Sequence, residues 1–247
     1  MNSAWKALSP HFAHRLGASV NRADCRAYAK AREALGRKAS TIKTELEYLR
    51  ACLNSTLGKA APPLWIPPPS APRDRWLTQD DVRALVNAAT EPHVRLFIIL
   101  AVATGARMGA LLDLTWDRVN FAQNTIDLRP AGRHQTNKRR TVVPMNARAR
   151  EALEQAAQFA QSAGVIEYNG KPIASIKKSV ATLSRQTGIP CSPHVFRHTA
   201  GVWMAQADVP MQKISQYLGH TTTKVTEQTY ARYSPSYMAD AAAALDW

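Results

Sequence analysis

A proline-dense stretch over residues 61–72 constrains the fold more than any other feature of this chain. It reads APPLWIPPPSAP, so six of its twelve residues are proline. Proline lacks a backbone N–H and fixes φ, so neither a helix nor a central strand can run through such a segment. We therefore expect an extended linker over residues 61–75 between an N-terminal domain, residues 1–60, and a larger domain, residues 76–247.

The N-terminal domain carries helical signals. Residues 23–35 are rich in Ala, Arg and Lys, and Gly36 can end a helix there. Between residues 40 and 54, apolar side chains recur at three- and four-residue steps, which predicts a second helix with one buried face. The first 60 residues are thus expected to form a small helical domain.

The balance of charges points to an anionic partner. The 247 residues contain 32 Lys and Arg against 18 Asp and Glu, while 45% hydrophobic residues indicate a folded protein. Nucleic acid is the commonest partner of so basic a chain, and an anionic membrane surface is the alternative. No apolar run approaches the ~18–20 residues that span a bilayer, and the N-terminus lacks an apolar signal core, so membrane binding is disfavoured.

The three cysteines exclude two further classes. Cys25, Cys52 and Cys191 are widely scattered and odd in number, which argues against a disulfide framework and against a zinc site. Inert thiols in a reducing cytoplasm are expected, and nothing in the sequence calls for a cofactor.

The larger domain reads as mainly helical with a small β-hairpin. Thr78 followed by acids predicts a helix N-terminus, and the apolar residues 94–102 predict a buried helix that Gly105 ends. Two strand-like runs flank a polar loop over residues 129–140 and predict a hairpin. The remaining expected segments are those strands, residues 125–128 and 141–144, and further helices over residues 146–163 and 173–186.

Residues suited to phosphodiester chemistry recur in the last quarter of the chain. His194 and Arg197 stand three apart, so a helix projects them from one face. The arginine can hold two phosphate oxygens, the histidine can exchange protons, and a tyrosine hydroxyl such as that of Tyr230 can form a covalent intermediate. Taken singly, each has a structural alternative: Leu218-Gly219-His220 can be a helix C-cap, and Tyr230 can be a core residue.

A second arginine precedes these residues, in Thr104-Gly105-Ala106-Arg107. Together with His194-Val195-Phe196-Arg197, Leu218-Gly219-His220 and Tyr230, this segment resembles the tyrosine recombinase family, phage-type integrases in particular. All four motifs occur in the family's order and at compatible spacing. The resemblance runs from about Trp76 to the C-terminus and, more weakly, into the N-terminal part.

The resemblance implies an activity and a role for each residue. It implies a site-specific recombinase or integrase that cleaves and rejoins DNA through a 3′-phosphotyrosyl intermediate, for prophage or mobile-element integration and excision. Tyr230 would be the nucleophile, Arg107 and Arg197 would hold the non-bridging oxygens, and His194 and His220 would assist. Lys138, in the hairpin loop, would be the general acid, although a gapless match falls nearer Thr136.

The resemblance also implies how DNA is held. The N-terminal domain would be a core-binding clamp, here abbreviated, and its Arg37, Lys38 and Lys43 would contact phosphates. In the catalytic domain, Arg139, Arg140 and Lys177 are the candidate DNA contacts. For each of these six residues, a solvated charge is the alternative.

One position departs from the family pattern. The family usually has an acidic residue three positions after the first arginine, where this chain has Ala110. Asp113 does not replace it, because six residues along a helix rotate a side chain by about 240° away from Arg107. A structural salt bridge of Arg107 with Asp113 or another acid is the alternative to a phosphate-binding Arg107.

The implied partners are double-stranded DNA at a specific attachment site and copies of this chain. Family members assemble as tetramers on DNA, and the tail over residues 234–247 could dock on a neighbouring protomer. Accessory DNA-bending or directionality proteins are compatible with such a system. Two other functions stay open: a type IB topoisomerase-like nicking and closing enzyme, and a DNA-binding regulator that has lost catalysis, for which Ala110 is the only support.

Overall fold

The computed structural model describes residues 3–69, 74–129 and 140–246. The chain divides into two compact units, Met1–Arg73 and Asp74–Trp247. Twelve α-helices are present in the described ranges: α1 Ser3–Phe12, α2 Arg22–Ala34, α3 Ala39–Leu57, α4 Gln79–Ala88, α5 Pro92–Thr104, α6 Met108–Leu112, α7 Ala147–Ala157, α8 Lys177–Thr187, α9 Pro193–Gln206, α10 Met211–Leu218, α11 Thr223–Tyr230 and α12 Ala239–Ala243. Five short strands accompany them: β1 Val119–Asn120, β2 Thr125–Asp127, β3 Val142–Pro144, β4 Glu167–Tyr168 and β5 Lys171–Pro172.

The first unit is a three-helix core. Asn21 caps α2 through a capping box with Asp24, which satisfies backbone N–H groups at the helix start. Helix α3 buries one face, as its spacing predicts, including Ile42 and Leu46. Its one buried acid, Glu45, accepts hydrogen bonds from the Tyr28 hydroxyl and from the Arg32 guanidinium, which offsets the desolvation of the carboxylate.

The proline stretch has no regular secondary structure over residues 61–69, as proline requires. It does not run free of the first unit, because Leu64, Trp65 and Ile66 pack against the same apolar core. The Arg26 guanidinium lies over the Trp65 ring, 5.8 Å from its centroid. The apolar residues between the prolines thus hold this part of the stretch on the helices that precede it.

The second unit is built around α5, which is apolar on nearly every side. Helix α4 starts with the expected capping box, in which the Thr78 hydroxyl and the Asp81 carboxylate satisfy each other's backbone N–H. Phe97, Ile98 and Leu100 of α5 are fully buried, and Phe196 of α9 packs edge-on to Phe97. This packing sets α9, which carries His194 and Arg197, against the end of α5.

A small sheet completes the second unit. Strand β2 pairs antiparallel with β1 and with β3, and Ile126 lies opposite both Val119 and Val143. The expected pairing of residues 125–128 with 141–144 is therefore confirmed, and the mainly α fold with a small sheet is confirmed with it. The connecting loop lies outside the described residues from 130 to 139.

Two expectations about residues 146–187 are wrong in part. Helix α7 ends at Ala157 and does not reach residue 163. The helix expected from residue 173 begins only at Lys177, because β4 and β5 form a second hairpin just before it. Asn169 and Gly170 both have positive φ in its two-residue turn, so the Asn-Gly pair was the sequence signal for this hairpin.

Within the described ranges, no helix is both long enough and apolar enough to cross a membrane.

Candidate active site

Arg107 stands at the junction of α5 and α6. Gly105 ends α5 with a φ of 59°, a left-handed conformation that favours glycine. A Cβ there would also lie 2.4 Å from Leu218 Cδ2, so a larger residue would displace the Leu218 side chain. Arg107 is the N-cap of α6 and is half-buried, with Nη1 3.4 Å from the Gly219 carbonyl oxygen. Burial, and then the neighbouring charge of Arg140, lowers the pKa of Arg107.

Arg197 is the most buried cation of the site. Ser192 caps α9 by accepting the Val195 N–H, and Pro193 occupies the first turn, where its fixed φ and missing N–H suit a helix start. One turn into α9, Arg197 is only 6% exposed, donating from Nη1 to the Gly105 carbonyl at 2.7 Å and from Nη2 to the Leu218 carbonyl at 2.8 Å. Burial, with a smaller contribution from Arg107, lowers its pKa to about 10, so the group stays charged near neutral pH.

The partners of Arg197 are helix ends and not a carboxylate. Gly105 caps α5 and Leu218 is the last residue of α10, so both carbonyls belong to helix C-termini and carry partial negative charge. Among the described residues, Arg197 makes no ion pair with an acid. Dipoles therefore hold the guanidinium without neutralising it, which leaves a net positive charge for an anion.

His220 joins this charge from the loop after α10. Gly219 caps α10 in the left-handed region at φ 66°, as Leu-Gly-His predicts, and His220 Nδ1 lies 2.7 Å from the Thr226 hydroxyl. Burial, and then the charges of Arg197 and Arg107, lowers the pKa of His220 to about 4. The ring is neutral near pH 7, so it keeps one N–H to donate to an oxygen.

Tyr230 is the last residue of α11 and is 5% exposed. Its ring packs against the backbone of α9 at Gly201, where a Cβ would lie 2.4 Å from Cζ and 2.8 Å from the hydroxyl oxygen. Burial raises the pKa of the Tyr230 hydroxyl, and Arg197 opposes that rise. The phenol is therefore protonated near neutral pH and needs a proton acceptor before it can attack.

His194 lies on the exposed first turn of α9. Together with Arg107, Arg197 and Lys177 it lines a cleft of about 460 Å³ beside the arginine pair. The cleft has three basic side chains and no acid in its lining, so its chemistry suits a phosphate group.

The Arg140 side chain is 19% exposed and donates from Nη2 to Asp113 Oδ2 at 2.8 Å. Asp113 therefore pairs with Arg140, in keeping with the helical geometry that directs it away from Arg107. Ala110 lines the same small cleft as Arg107, Arg140 and Arg197. A carboxylate at position 110 would offset part of the positive charge of these arginines, whereas Ala110 does not.

The other candidate residues lie elsewhere or outside the description. Lys138 and Arg139 fall outside the described residues, and their roles stay predictions. Arg37 and Lys38 are exposed between α2 and α3 of the first unit, and Lys43 is partly buried on α3, 3.8 Å from the Glu47 carboxylate. The DNA contacts assigned to them also stay predictions. In the described ranges, no group of three His, Cys, Asp or Glu side chains could hold a metal ion.

His198 follows Arg197 on α9 and projects about 100° around the helix from it. In the structure it is buried, with its ring centroid 5.3 Å from that of Tyr230. Sequence reasoning missed Asp74, which holds the residues just after Tyr230. A packing role for His198 was readable from its place three residues before Gly201, which faces Tyr230. Nothing in the sequence around Asp74 indicates its contacts with Arg232 and Tyr233.

Comparison with known proteins finds relatives along much of the chain. The chain is 27% identical to an integrase of Streptomyces ambofaciens over 243 residues, covering 80% of this chain and 62% of that protein. It is 23% identical to the tyrosine recombinase XerA of Pyrococcus furiosus over 175 residues, covering 67% of this chain and 59% of that protein. The chain thus spans about three-fifths of the length of these relatives.

A solved structure shares the fold. The Tn1549 transposon integrase, determined in complex with a circular intermediate DNA, superposes with a TM-score of 0.78 at 16% identity, covering 98% of this chain and 92% of that one. Residues 75–236 match the model of the Phage integrase family, and this range of the chain contains Arg107, His194, Arg197, His220 and Tyr230. The chain belongs to the phage integrase family.

Proposed function

We propose that this chain is a site-specific DNA recombinase that cleaves and rejoins DNA through a 3′-phosphotyrosyl intermediate. The observation that carries the proposal is the position of Arg197, whose fork joins the Gly105 and Leu218 carbonyls. Those bonds set Arg107, two residues after Gly105, and His220, two residues after Leu218, around one buried positive charge. The matched family and the relatives named integrase and tyrosine recombinase support the same function.

The reaction we propose is a transesterification. The Tyr230 oxygen forms a bond to the scissile phosphorus while the bond from phosphorus to the 5′ oxygen breaks. The phenolic proton passes to a base, for which His194 on the open turn of α9 is the candidate, and the leaving 5′ oxygen takes a proton from Lys138. Attack on the phosphotyrosyl bond by a 5′ hydroxyl from a partner strand reverses the step and releases Tyr230. Because the phosphotyrosyl bond retains the energy of the phosphodiester, no nucleotide is consumed.

Arg107, Arg197 and His220 would stabilise the transition state. Two guanidinium groups on the non-bridging oxygens offset the negative charge that grows as the phosphorus becomes five-coordinate. With Nδ1 accepting from the Thr226 hydroxyl, the neutral His220 ring would add one hydrogen bond from Nε2–H. Because Arg197 is already fixed by main-chain carbonyls, its orientation needs no change when the phosphate arrives.

We further propose double-stranded DNA with a specific attachment site as substrate, acted on in the cytoplasm. The basic composition and the exposed Arg37 and Lys38 support a DNA-clamping role for the first unit. Arg139, Arg140 and Lys177 are the proposed contacts of the second unit. Relatives were solved on DNA, lambda integrase as a tetramer on a Holliday junction among them.

Assembly of this chain as a tetramer on DNA is proposed through its tail. Helix α12 has five residues, too few to be stable alone, and Met238 and Leu245 around it are exposed. Docking on a neighbouring protomer would cover them. A DNA-independent tetramer in light scattering would contradict the assembly we propose, and accessory bending or directionality proteins would act on the assembled complex.

The test is covalent trapping on a nicked suicide substrate that carries the candidate attachment site. The wild-type chain should give a shifted band on a denaturing gel, and Tyr230→Phe should give none. No band from either chain despite a mobility shift would favour the catalytically impaired regulator, whose only support is the departure from the family's sequence pattern at Ala110. Relaxation of supercoiled plasmid that lacks the site would favour the topoisomerase-like enzyme.

A further inference from the structure

The residues that follow Tyr230 are fastened to the first residue of the second unit. The Asp74 carboxylate accepts a hydrogen bond from the Tyr233 hydroxyl at 2.5 Å and another from the Arg232 guanidinium. Asp74 Oδ1 also lies 3.8 Å from His198 Nε2. A single carboxylate therefore meets α9 and the segment after α11, and we call these four residues the Asp74 tether.

Within the tether, His198 is the part that touches the proposed nucleophile. The His198 and Tyr230 ring centroids are 5.3 Å apart with the planes tilted by 32°, and the Tyr233 ring meets His198 at 6.4 Å, nearly edge-on. Nε2 of His198 is buried and has no hydrogen-bond partner among the described residues. Burial lowers the pKa of His198, although Asp74 opposes this, so the ring acts on Tyr230 by packing as a neutral aromatic.

The Tyr230 ring also packs against the helix backbone at Gly201, three residues after His198 on the same face of α9. Tyr230 ends α11, and the chain passes directly into a 3₁₀ turn over Ala231–Tyr233. Asp74 holds two of the three residues of that turn. The direction in which Tyr230 leaves its helix is thus fixed by the tether, and its ring packs on one face of α9, against both His198 and Gly201.

We infer that Asp74, with His198 and Tyr233, positions the Tyr230 hydroxyl for attack on the scissile phosphate. The inference rests on the proposed function. The geometry favours positioning over stability, because the Asp74 and Arg232 side chains are each about half exposed, where ion pairs contribute little to folding. Reaction rates respond far more steeply than stability to a small displacement of a nucleophile.

The first experiment compares Asp74→Asn with wild type on the nicked suicide substrate at saturating DNA. The rate of covalent product should fall about tenfold while the mobility shift is unchanged, since a displaced nucleophile loses rate but no DNA contact. Asp80→Asn is the matched control: it removes an exposed carboxylate paired with Arg83 on α4 and should leave the rate unchanged. Equal rates for wild type and Asp74→Asn would overturn the inference.

A second experiment separates positioning of Tyr230 from damage to the phosphate-binding groups. In Tyr230→Phe, hydrogen peroxide is supplied as the nucleophile; its oxygen bonds to phosphorus, the bond to the 5′ oxygen breaks, and that oxygen is protonated as a hydroxyl. Adding Asp74→Asn to Tyr230→Phe should leave peroxide cleavage unchanged. A tenfold loss there too would show that Asp74 acts through the arginines or the fold, and would overturn the inference.

Tyr233→Phe covers the case in which Asp74→Asn does not fold. It keeps the ring beside His198 and removes only the hydroxyl that Asp74 accepts. We expect a rate loss of about three- to tenfold with unchanged thermal unfolding and unchanged peroxide cleavage in the Tyr230→Phe background. If wild type forms no covalent product and Tyr230→Phe gives no peroxide cleavage, the proposed function fails and this inference falls with it.

Discussion

The guanidinium of Arg197 donates from Nη1 to the carbonyl oxygen of Gly105 at 2.7 Å, across 92 positions of the chain. The bond connects α9 to the turn that carries Arg107. A second bond, from Nη2 to the Leu218 carbonyl, connects α9 to the turn that carries His220. The candidate site is thus assembled by one buried side chain that binds main-chain atoms of two helix ends.

Arg197→Lys should therefore damage both the fold and the reaction. A lysine ammonium cannot bridge two carbonyls with a planar fork, so at least one buried hydrogen bond to a charged group is lost, at about 2 kcal/mol of unfolding free energy. Cleavage of the suicide substrate should fall about 100-fold or more. Arg95→Lys, on the exposed side of α5, is the control for the substitution and should leave cleavage unchanged. Near-wild-type cleavage by Arg197→Lys would contradict the role assigned to the Arg197 guanidinium.

His220 should make stability depend on pH in a defined direction. Its pKa is lowered from 6.5 to about 4 in the folded chain, so between those values the unfolded chain binds the proton more readily. The free energy of unfolding should fall as pH drops from 6.5 towards 4 and should be insensitive to this group above that window. Urea denaturation at about pH 5 and about pH 8 measures the difference.

His220→Gln should reduce that pH dependence while leaving part of it, since burial also lowers the pKa of His198. An unchanged difference between the two pH values would mean that His220 is not held neutral by its surroundings. The same variant should slow cleavage, because the side-chain amide cannot reproduce the imidazole N–H at the same place.

Gly201→Ala tests the close approach of α9 to Tyr230. A Cβ at this position would lie 2.4 Å from Cζ of a buried ring, so the ring must move. Although alanine is the better helix former by about 1 kcal/mol, we expect lower thermal stability and at least about tenfold slower covalent trapping. DNA affinity in a mobility shift should be unchanged.

Gly109→Ala is the matched stability control for this change. Among the described residues, a Cβ there would meet only Arg140 Nη2, at 4.0 Å, which is an ordinary contact. Its unfolding temperature should be unchanged or raised. Equal unfolding temperatures for Gly201→Ala and wild type would contradict the packing of Tyr230 on α9.

Lys177→Ala tests whether the cleft beside the arginine pair receives DNA phosphates. Lys177 is exposed at the start of α8 and lines that cleft with Arg107 and His194. Each lost phosphate contact reduces the slope of log affinity against log salt by about one. The control is Lys171→Ala, exposed on β5 and not part of the described cleft lining, which should leave the slope unchanged. Equal slopes for Lys177→Ala and wild type would show that Lys177 does not contact a DNA phosphate.

Local structure was readable wherever neighbouring residues decide it. The capping box at Thr78, the start of α9 at Pro193 and the left-handed caps at Gly105 and Gly219 all follow from residues within one helical turn. The pairing of β2 with β3 followed from two short apolar runs around a polar loop. The second hairpin was readable too, from Asn169-Gly170, but its strands are only two residues long and residues 167–172 were assigned no structure from the sequence.

The sequence by itself determined the order of the helices, their caps and the residue types available for phosphodiester chemistry, since these depend on short-range geometry and on side-chain identity. Tertiary structure alone decided their partners. That Arg197 binds the carbonyls of Gly105 and Leu218, that Asp113 pairs with Arg140, and that Asp74 holds Tyr233 all depend on packing between distant segments. Every residue carries the same backbone carbonyl, and a carboxylate can pair with any cation within reach, so residue identity alone does not specify these partners. The folded arrangement of α5, α9 and α10 determines which carbonyls Arg197 meets.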